Sequence, residues 1–223
     1  MVQTGISRRS TMSKIYLTFD DGPLAGTDDV VSILDESQVR GTLFLVGQEA
    51  SRRDSLLQMA RNSQHTQIAN HSFTHANGHY KLYYSKPNDV LSGFNKATEL
   101  LNVRTRPIPA RLPGRNTWRL CGIRKTDGDS GPAAELLYAN CYWLYGWDIE
   151  WNMKNQRPVE TPQEMLDKVE ASFSANKTMK SGKMIILMHD YMFRKSKGDK
   201  IKLQSFVDLL KNKKYDMEFI RDY

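Results

Sequence analysis

The chain has 223 residues and a formal net charge of +7 at neutral pH. Hydrophobic residues make up 39% of it and charged residues 26%, the ordinary mix of a folded globular domain. This composition excludes a disordered chain, a collagen-like repeat and a disulfide scaffold, and the length is enough to bury a core as one barrel or as two small domains.

Strand-like and helix-like segments alternate along the whole chain. The best-marked helix start is the capping box Thr161-Pro162-Gln163-Glu164, with proline at the first helical position. Strict alternation predicts parallel strands joined by crossover helices, and seven such units predict an α/β fold, an irregular (β/α) barrel forming one domain over residues 14–223. The predicted strands are residues 14–19, 42–46, 67–70, 109–112, 144–147, 184–188 and 217–220, and the predicted helices centre on residues 30–34, 56–60, 90–101, 136–137, 165–173 and 206–210.

Two segments differ from this regular pattern. Residues 115–132 carry three glycines and several charges, which predicts a long irregular loop of the kind that is usually functional. Residues 177–223 hold 12 Lys and Arg against 6 Asp and Glu, so most of the net charge lies there. These lysines lack interleaved aromatic residues, and we therefore interpret them as a solvated basic face and expect no nucleic-acid partner.

The chain termini, cysteines and hydropathy indicate the cellular setting. Residues 1–13 lack the apolar region and cleavage site of a signal peptide, so we interpret them as a leader or added segment and expect a cytoplasmic or membrane-adjacent protein, exported only if the chain has been trimmed. No run of 18 apolar residues occurs, which predicts no integral membrane segment. Cys121 and Cys141 match no zinc or redox spacing, and we interpret them as buried free thiols.

Unusual polar residues follow five of the predicted strands. In a parallel barrel the carboxyl ends of the strands open onto one face, where active sites are built. Residues separated by 170 positions are therefore expected to converge there. They are Asp20-Asp21-Gly22-Pro23 after the first strand, His71 to His75 after the third, Arg111 after the fourth, Trp147-Asp148 after the fifth and His189-Asp190 after the sixth.

The carboxylate and imidazole pairs indicate a metal site. Adjacent carboxylates such as Asp20 and Asp21 repel each other unless a cation or a basic partner is near, although Asp-Asp-Gly-Pro is also ordinary turn chemistry. His71 and His75, four residues apart, share one face if they lie on a helical turn and can then hold one ion. One Asp with two His leaves coordination positions open, as in catalytic zinc sites. His79 is a rival ligand, ranked lower because Asn77-Gly78 precedes it.

The order of these motifs resembles the polysaccharide deacetylases of carbohydrate esterase family four, which share the NodB homology domain. The similarity extends from Lys14 to about Tyr191. Two motifs depart from the family pattern: Gly114 stands where an aromatic residue usually follows the proline, and the fourth motif is shorter than usual. The matching segments are Thr18-Phe19-Asp20-Asp21-Gly22, His71-Ser72-Phe73-Thr74-His75, Arg111-Leu112-Pro113-Gly114, Trp147-Asp148-Ile149-Glu150-Trp151 and Leu187-Met188-His189.

The resemblance implies a deformed (β/α)7 barrel and a metal-dependent hydrolase that removes N-acetyl groups from an amino-sugar glycan. It implies that a divalent metal, expected to be zinc, is held by Asp21, His71 and His75. Asp20 would be the base and His189 the acid, with Arg111 orienting Asp20 and Asp148, rather than the alternative Glu150, supporting His189. A backbone N–H near Gly114 would bind the oxyanion. The substrate-binding candidates are Gly114, Trp151, Leu187, Trp118 and Tyr80.

Three other functions remain open from the sequence. One is a related amidase acting on a non-sugar amide, and a second is a carbohydrate-binding barrel whose activity is weak or lost through the departures at Gly114 and in the fourth motif. A nucleic-acid-binding protein is suggested by the charge alone. The expected partner is an N-acetylated carbohydrate, from cell-envelope polysaccharide if the protein is not exported, and the expected state is a monomer.

Overall fold

A computed structural model describes residues 13–223, so the leader predicted for residues 1–13 lies, apart from Ser13, outside the described residues. The described chain contains one curled sheet of ten strands, a separate two-stranded hairpin and eight α-helices. The strands are β1 (Lys14–Asp20), β2 (Gly41–Leu45), β3 (Thr66–Asn70), β4 (Ile108–Ala110), β5 (Trp118–Leu120), β6 (Ile123–Lys125), β7 (Tyr142–Leu144), β8 (Ile149–Glu150), β9 (Met153–Lys154), β10 (Arg157–Pro158), β11 (Lys183–His189) and β12 (Asp216–Met217). The helices are α1 (Thr27–Ser37), α2 (Gly47–Arg52), α3 (Asp54–Asn62), α4 (Tyr80–Tyr84), α5 (Pro87–Leu101), α6 (Gly131–Ala139), α7 (Pro162–Ser174) and α8 (Lys200–Asn212).

The sheet is parallel through most of its width. Its strand order is β6-β5-β7-β4-β3-β2-β1-β11-β8, with β12 paired to β1. Every pairing from β7 across to β8 is parallel, whereas β5 runs antiparallel to both β6 and β7. This curled sheet with its covering helices confirms the predicted α/β single domain of the deformed-barrel class.

The two longest strands, β1 and β11, lie side by side in the sheet, with β11 next to the short edge strand β8. Both read as nearly continuous buried runs, as parallel strands covered on both faces do. Alternate residues of β1 contribute to two clusters: Ile15 and Leu17 pack with the helices, and Tyr16 packs inside the curl of the sheet near Trp118. Burial on both faces stabilises the pair of strands that carries Asp20 and His189.

The predicted elements are confirmed where they are long and need correction where they are short. The capping box at Thr161 forms as predicted, because Glu164 N donates to Thr161 Oγ1 (3.2 Å) and Thr161 N donates to Glu164 Oε2 (2.8 Å). The strand predicted at residues 144–147 instead lies at Tyr142–Leu144, and of the strand predicted at residues 217–220 only Met217 lies in a strand, Asp216–Met217. Runs of two or three residues are too short for periodicity to locate.

The segment at residues 115–132 is not the irregular loop that its glycines predicted. It contains the β5–β6 hairpin, which turns at Gly122 with a φ of +73° and pairs with β7. Cys121 lies in this turn, and Cys141 lies between α6 and β7. Both thiols are free, as predicted, but both are exposed, so the prediction that they are buried was wrong. No helix in residues 13–223 is long and apolar enough to cross a membrane.

Candidate active site

The parallel register brings the predicted functional residues together at one edge of the sheet. Asp20 lies opposite His189 across the β1–β11 pair, and Asn70 lies opposite Ala110 across β3–β4. The residues that follow Asn70 and Ala110, His71 and Arg111, therefore leave the sheet beside each other. All of them stand at carboxyl ends of parallel strands, where open α/β sheets bind ligands.

Asp21 is the centre of the cluster. Its φ of +74° turns it away from the line of β1, so its carboxylate faces His75 whereas that of Asp20 pairs with Arg111, and His71 lies near both. Asp21 Oδ1 lies 3.1 Å from His75 Nε2 and 3.4 Å from His71 Nε2, and one ligand atom from each of the three residues lies within 4.8 Å of the others. Burial raises the pKa of Asp21, but the His71 and His75 imidazoles lower it by more, so this carboxyl stays ionised.

The donor set fits a divalent metal. His71 Nδ1 lies 2.9 Å from the Arg111 carbonyl and can donate to it, which leaves the Nε2 lone pair directed at Asp21. Asp21 Oδ1 is buried and has no hydrogen-bond partner among the described residues. A carboxylate oxygen and imidazole nitrogens that converge without a shared proton are the ligands of a site such as Asp/His/His zinc.

The two histidines do not lie on the helical turn that their spacing predicted. Ser72 and His75 both have positive φ, 68° and 51°, and a 3-10 turn begins only at His75. Asn70 holds the loop through its Oδ1, which accepts from Ser72 N (2.8 Å), and Ser72 Oγ accepts from His75 N (3.0 Å). The loop therefore brings His71 and His75 together, as a helical turn was expected to do. His79 is exposed and outside the ligand set, in agreement with its lower rank.

Arg111 holds Asp20 within the protein interior. The guanidinium is fully buried, and its Nη1 donates to Asp20 Oδ1 and to Thr18 Oγ1, both at 2.8 Å. Its other donors reach the carbonyls of Tyr145 (3.0 Å) and Gly146 (2.9 Å). The second carboxylate oxygen, Asp20 Oδ2, faces His71 Nε2 at 3.6 Å. Asp20 thus has one oxygen fixed by Arg111 and the other at the edge of the ligand set.

His189 faces the second carboxylate oxygen of Asp21, the one that does not face His71 and His75. Its Nε2 lies 3.7 Å from Asp21 Oδ2, and its side chain is 13% exposed. The Asp148 support expected for His189 is wrong, because both Asp148 oxygens accept backbone N–H groups, from Met179 and Ile185, each at 2.7 Å. Among the described residues, the only carboxylate within ion-pair distance of His189 is that of Asp21. The alternative partner, Glu150, is therefore not paired with His189 either.

Residues 7–114 match the family model for polysaccharide deacetylases. Over this segment, which is just under half of the chain, it is similar to the polysaccharide deacetylases. The chitin disaccharide deacetylase of Vibrio alginolyticus is 24% identical over 99% of this chain and 74% of its own length. The putative polysaccharide deacetylase YheN of Bacillus subtilis is 25% identical, with 79% of this chain covered but 57% of YheN. A chitooligosaccharide deacetylase of Rhizobium leguminosarum is 39% identical over 27% of each chain.

Solved structures share the fold of this chain. A CE4 esterase of Streptococcus mutans superposes with a TM-score of 0.70 at 20% identity, covering 94% of this chain and 86% of its own. A mutant of a CE4 family pseudoenzyme with restored activity gives a TM-score of 0.68 at 17% identity, covering 95% and 67%. This fold therefore occurs both with and without the activity, and activity must be inferred from this chain's own residues.

The structure separates the five substrate-binding candidates into two groups. Trp118 is 1% exposed and its indole donates to Asn116 Oδ1, so the prediction that it stacks on a sugar was wrong. Trp151 and Leu187 are also buried, and Trp151 N donates to the Leu187 carbonyl (2.9 Å). Gly114 and Tyr80 instead lie at the open rim, with the Tyr80 ring centroid 5.9 Å from that of His75.

The structure adds a residue to which the sequence assigned no role. Asp190 is buried and accepts from Leu24 N (3.2 Å) and from the Thr27 hydroxyl, holding the turn that follows Asp21. A Cβ on Gly22 would collide with the Asp190 carboxylate, so the glycine is needed for this close approach. Burial, together with the Asp21 charge, raises the pKa of Asp190 to about 7. The sequence signal that could have identified Asp190 was a carboxylate directly after the apolar strand β11.

Proposed function

We propose that this protein is a metal-dependent N-deacetylase of amino-sugar glycans. The observation that carries the proposal is the convergence of Asp21, His71 and His75 beside the buried Asp20–Arg111 pair, with His189 facing Asp21. Asp21, His71 and His75 would hold the metal, and zinc suits this donor set best. A metal bound there supplies Lewis-acid polarisation of the N-acetyl carbonyl and lowers the pKa of a water molecule.

Asp20 would act as the general base. Because Arg111 occupies Asp20 Oδ1, the free oxygen Oδ2 is the one that accepts the proton as water attacks the carbonyl carbon. The fully buried guanidinium fixes the orientation of the carboxylate oxygens. The role of Arg111 is therefore to position Asp20.

The backbone of Gly114 would stabilise the developing negative charge on the carbonyl oxygen. In the turn after β4, Arg115 N donates to the Leu112 carbonyl (3.3 Å), whereas Gly114 N makes no hydrogen bond within residues 13–223. Of the turn Pro113-Gly114-Arg115, Gly114 is thus the residue with an N–H available for an oxyanion. Leu187 and Trp151 remain proposals for the floor of the acetyl pocket.

His189 would protonate the amine as the C–N bond breaks. Its Nε2 lies 3.7 Å from Asp21 Oδ2, the oxygen of Asp21 that does not face His71 and His75. We also propose that the protein acts as a monomer on an N-acetylated polysaccharide, oligosaccharide or lipid-linked glycan. The names of the relatives support chitin-type and peptidoglycan-type substrates. Acetate release from such glycans, measured with and without a chelator, tests this function.

A carbohydrate-binding barrel without activity is the second candidate, because a pseudoenzyme shares this fold. It is favoured only by the departures at Gly114 and in the fourth motif. The intact ligand set and the Asp20–Arg111 pair favour the enzyme. No acetate release from chitin oligosaccharides or peptidoglycan by metal-loaded protein would favour the binding protein instead.

The metal prediction has a matched control. The protein purified without a histidine tag is expected to carry one divalent metal per chain, and His71→Ala and His75→Ala are each expected to lose most of it, because each removes one of three ligands. His79→Ala should keep the metal, since His79 is exposed and outside the set. Elemental analysis after dialysis measures the metal content. Equal metal content in all three variants would contradict the assignment.

The role of His189 can be tested through the leaving group. An amine must be protonated to leave, whereas 4-nitrophenolate leaves without a proton. His189→Ala is therefore expected to lose about 100-fold or more in turnover of an N-acetyl sugar, but much less with 4-nitrophenyl acetate. Metal content should stay the same. Equal losses with both substrates would show that His189 does not act as the general acid.

A further inference from the structure

Tyr80 occupies the space that a side chain at position 114 would need. A Cβ added to Gly114 would lie 2.9, 3.0 and 3.3 Å from three carbons of the Tyr80 ring. Gly114 also has a φ of +61°, a conformation that glycine adopts without strain. Glycine at 114 thus allows the first residue of α4 to pack directly against the turn that follows Arg111.

The Tyr80 ring contacts His75 of the candidate ligand set and also lines a surface depression. The ring meets His75 edge to face, with an interplanar angle of 84°. Next to it, the guanidinium carbon of Arg115 lies 5.6 Å from the ring centroid. Tyr80 also lines an open depression of about 680 Å³ whose lining includes Leu82, an apolar side chain that is 60% exposed. The depression is lined by Gly78, His79, Tyr80, Lys81, Leu82 and Ser85.

We infer that Tyr80 is the platform for a sugar unit adjacent to the one that is deacetylated, and that Gly114 is the residue that admits it. This inference rests on the proposed function. Aromatic faces offer a rigid apolar surface for the C–H face of a pyranose ring, and a depression of this size can hold a ring beyond the reacting unit. The substrate class is therefore a chain of at least two amino sugars, not a monosaccharide.

The first test measures binding to the metal-loaded Asp20→Asn protein, so that the probes stay intact. The probes are tetra-N-acetylchitotetraose and N-acetylglucosamine, with titration calorimetry as the measurement. Adding Tyr80→Ala is expected to weaken tetrasaccharide binding by about tenfold or more and monosaccharide binding by much less, with metal content unchanged. Tyr138→Ala is the control. Tyr138 lies on α6, half-buried beneath Arg119, and its replacement should not alter either affinity.

Three outcomes would overturn the inference: no loss of tetrasaccharide affinity in Tyr80→Ala, equal losses for both probes, or a parent protein that binds the tetrasaccharide no more tightly than the monosaccharide. The proposed function fails by a separate result. If wild-type protein releases no acetate but the affinity pattern holds, the deacetylase assignment is wrong and the sugar platform remains.

A double-mutant cycle tests the role of Gly114. Gly114→Ala is expected to lower the melting temperature and the tetrasaccharide affinity when Tyr80 is present, because the new methyl group collides with the ring. In the Tyr80→Ala background the same change should cost less, since only the positive-φ strain remains. Coupling between the two changes supports the inference. Strictly additive effects on both melting temperature and affinity would contradict it.

Discussion

Replacing Asp20 by asparagine is expected to reduce acetate release by about 10²–10⁴-fold while the protein keeps its metal. The amide cannot take up the proton of the attacking water, but its carbonyl oxygen can still accept from Arg111 Nη1, now 2.8 Å from Asp20 Oδ1. The neighbouring ligand, Asp21, is not changed. Turnover of an N-acetylated chitin oligosaccharide and elemental analysis of the same samples are the measurements.

Asp21→Asn is the matched control for this prediction, because the two residues are adjacent and the same change of one charge is made. It is expected to lose metal, since the Asp21 oxygen is the one that faces His71 and His75. Equal metal loss in both variants would show that the roles of the two carboxylates have been divided wrongly. Full activity of the Asp20→Asn variant would show that Asp20 is not the general base.

Replacing Arg111 by alanine is expected to lower the free energy of unfolding by about 3–5 kcal/mol. The change leaves the buried Asp20 carboxylate without its cationic partner and deprives the Tyr145 and Gly146 carbonyls of a donor. Urea denaturation followed by circular dichroism measures the effect. Arg111→Lys should lose less than alanine, because it keeps the charge but not the fork of donors.

Adding Asp20→Asn to Arg111→Ala gives the decisive comparison. If the unpaired carboxylate causes most of the loss, the double variant is expected to be more stable than Arg111→Ala alone, because no buried charge remains without a partner. Equal or lower stability of the double variant would instead assign the loss to packing and to the unpaired carbonyls. Arg111 would then stabilise the fold through its packing and its hydrogen bonds to the two carbonyls, not by neutralising the Asp20 charge.

Long elements and the location of the site could be predicted from the sequence. Strands β1, β2 and β11 are largely apolar runs of five to seven residues, and such runs can be recognised before any packing is known. Parallel strands then require the residues after them to share one edge, so Asp20, His71 and His189 were expected to meet, and they do. The capping box at Thr161 was equally predictable, because its two hydrogen bonds are local.

The tertiary structure alone decided how each side chain is used. Asp148 was expected near His189 because it follows a strand. The register of β8 beside β11 instead directs its carboxylate to the N–H of Ile185, which lies four residues before His189. His71 and His75 converge through positive-φ residues that Asn70 holds, not through a helical turn. Periodicity reports which side of an element is buried. It does not report register or the course of a loop, which depend on contacts between residues far apart in the sequence.

The same limit explains Trp118, Tyr80 and Gly114. An aromatic residue in a glycine-rich segment suggests an exposed ring, but the β5–β6 hairpin buries Trp118 inside the curl of the sheet. Gly114 could be recognised in the sequence as a departure from the family pattern, whereas the ring that fills its place comes from α4, 34 positions earlier. The sequence by itself therefore determined the fold class and the edge of the sheet that bears the proposed site. Only the packing of separate segments decided which aromatic ring faces the site, because that contact has no local signal.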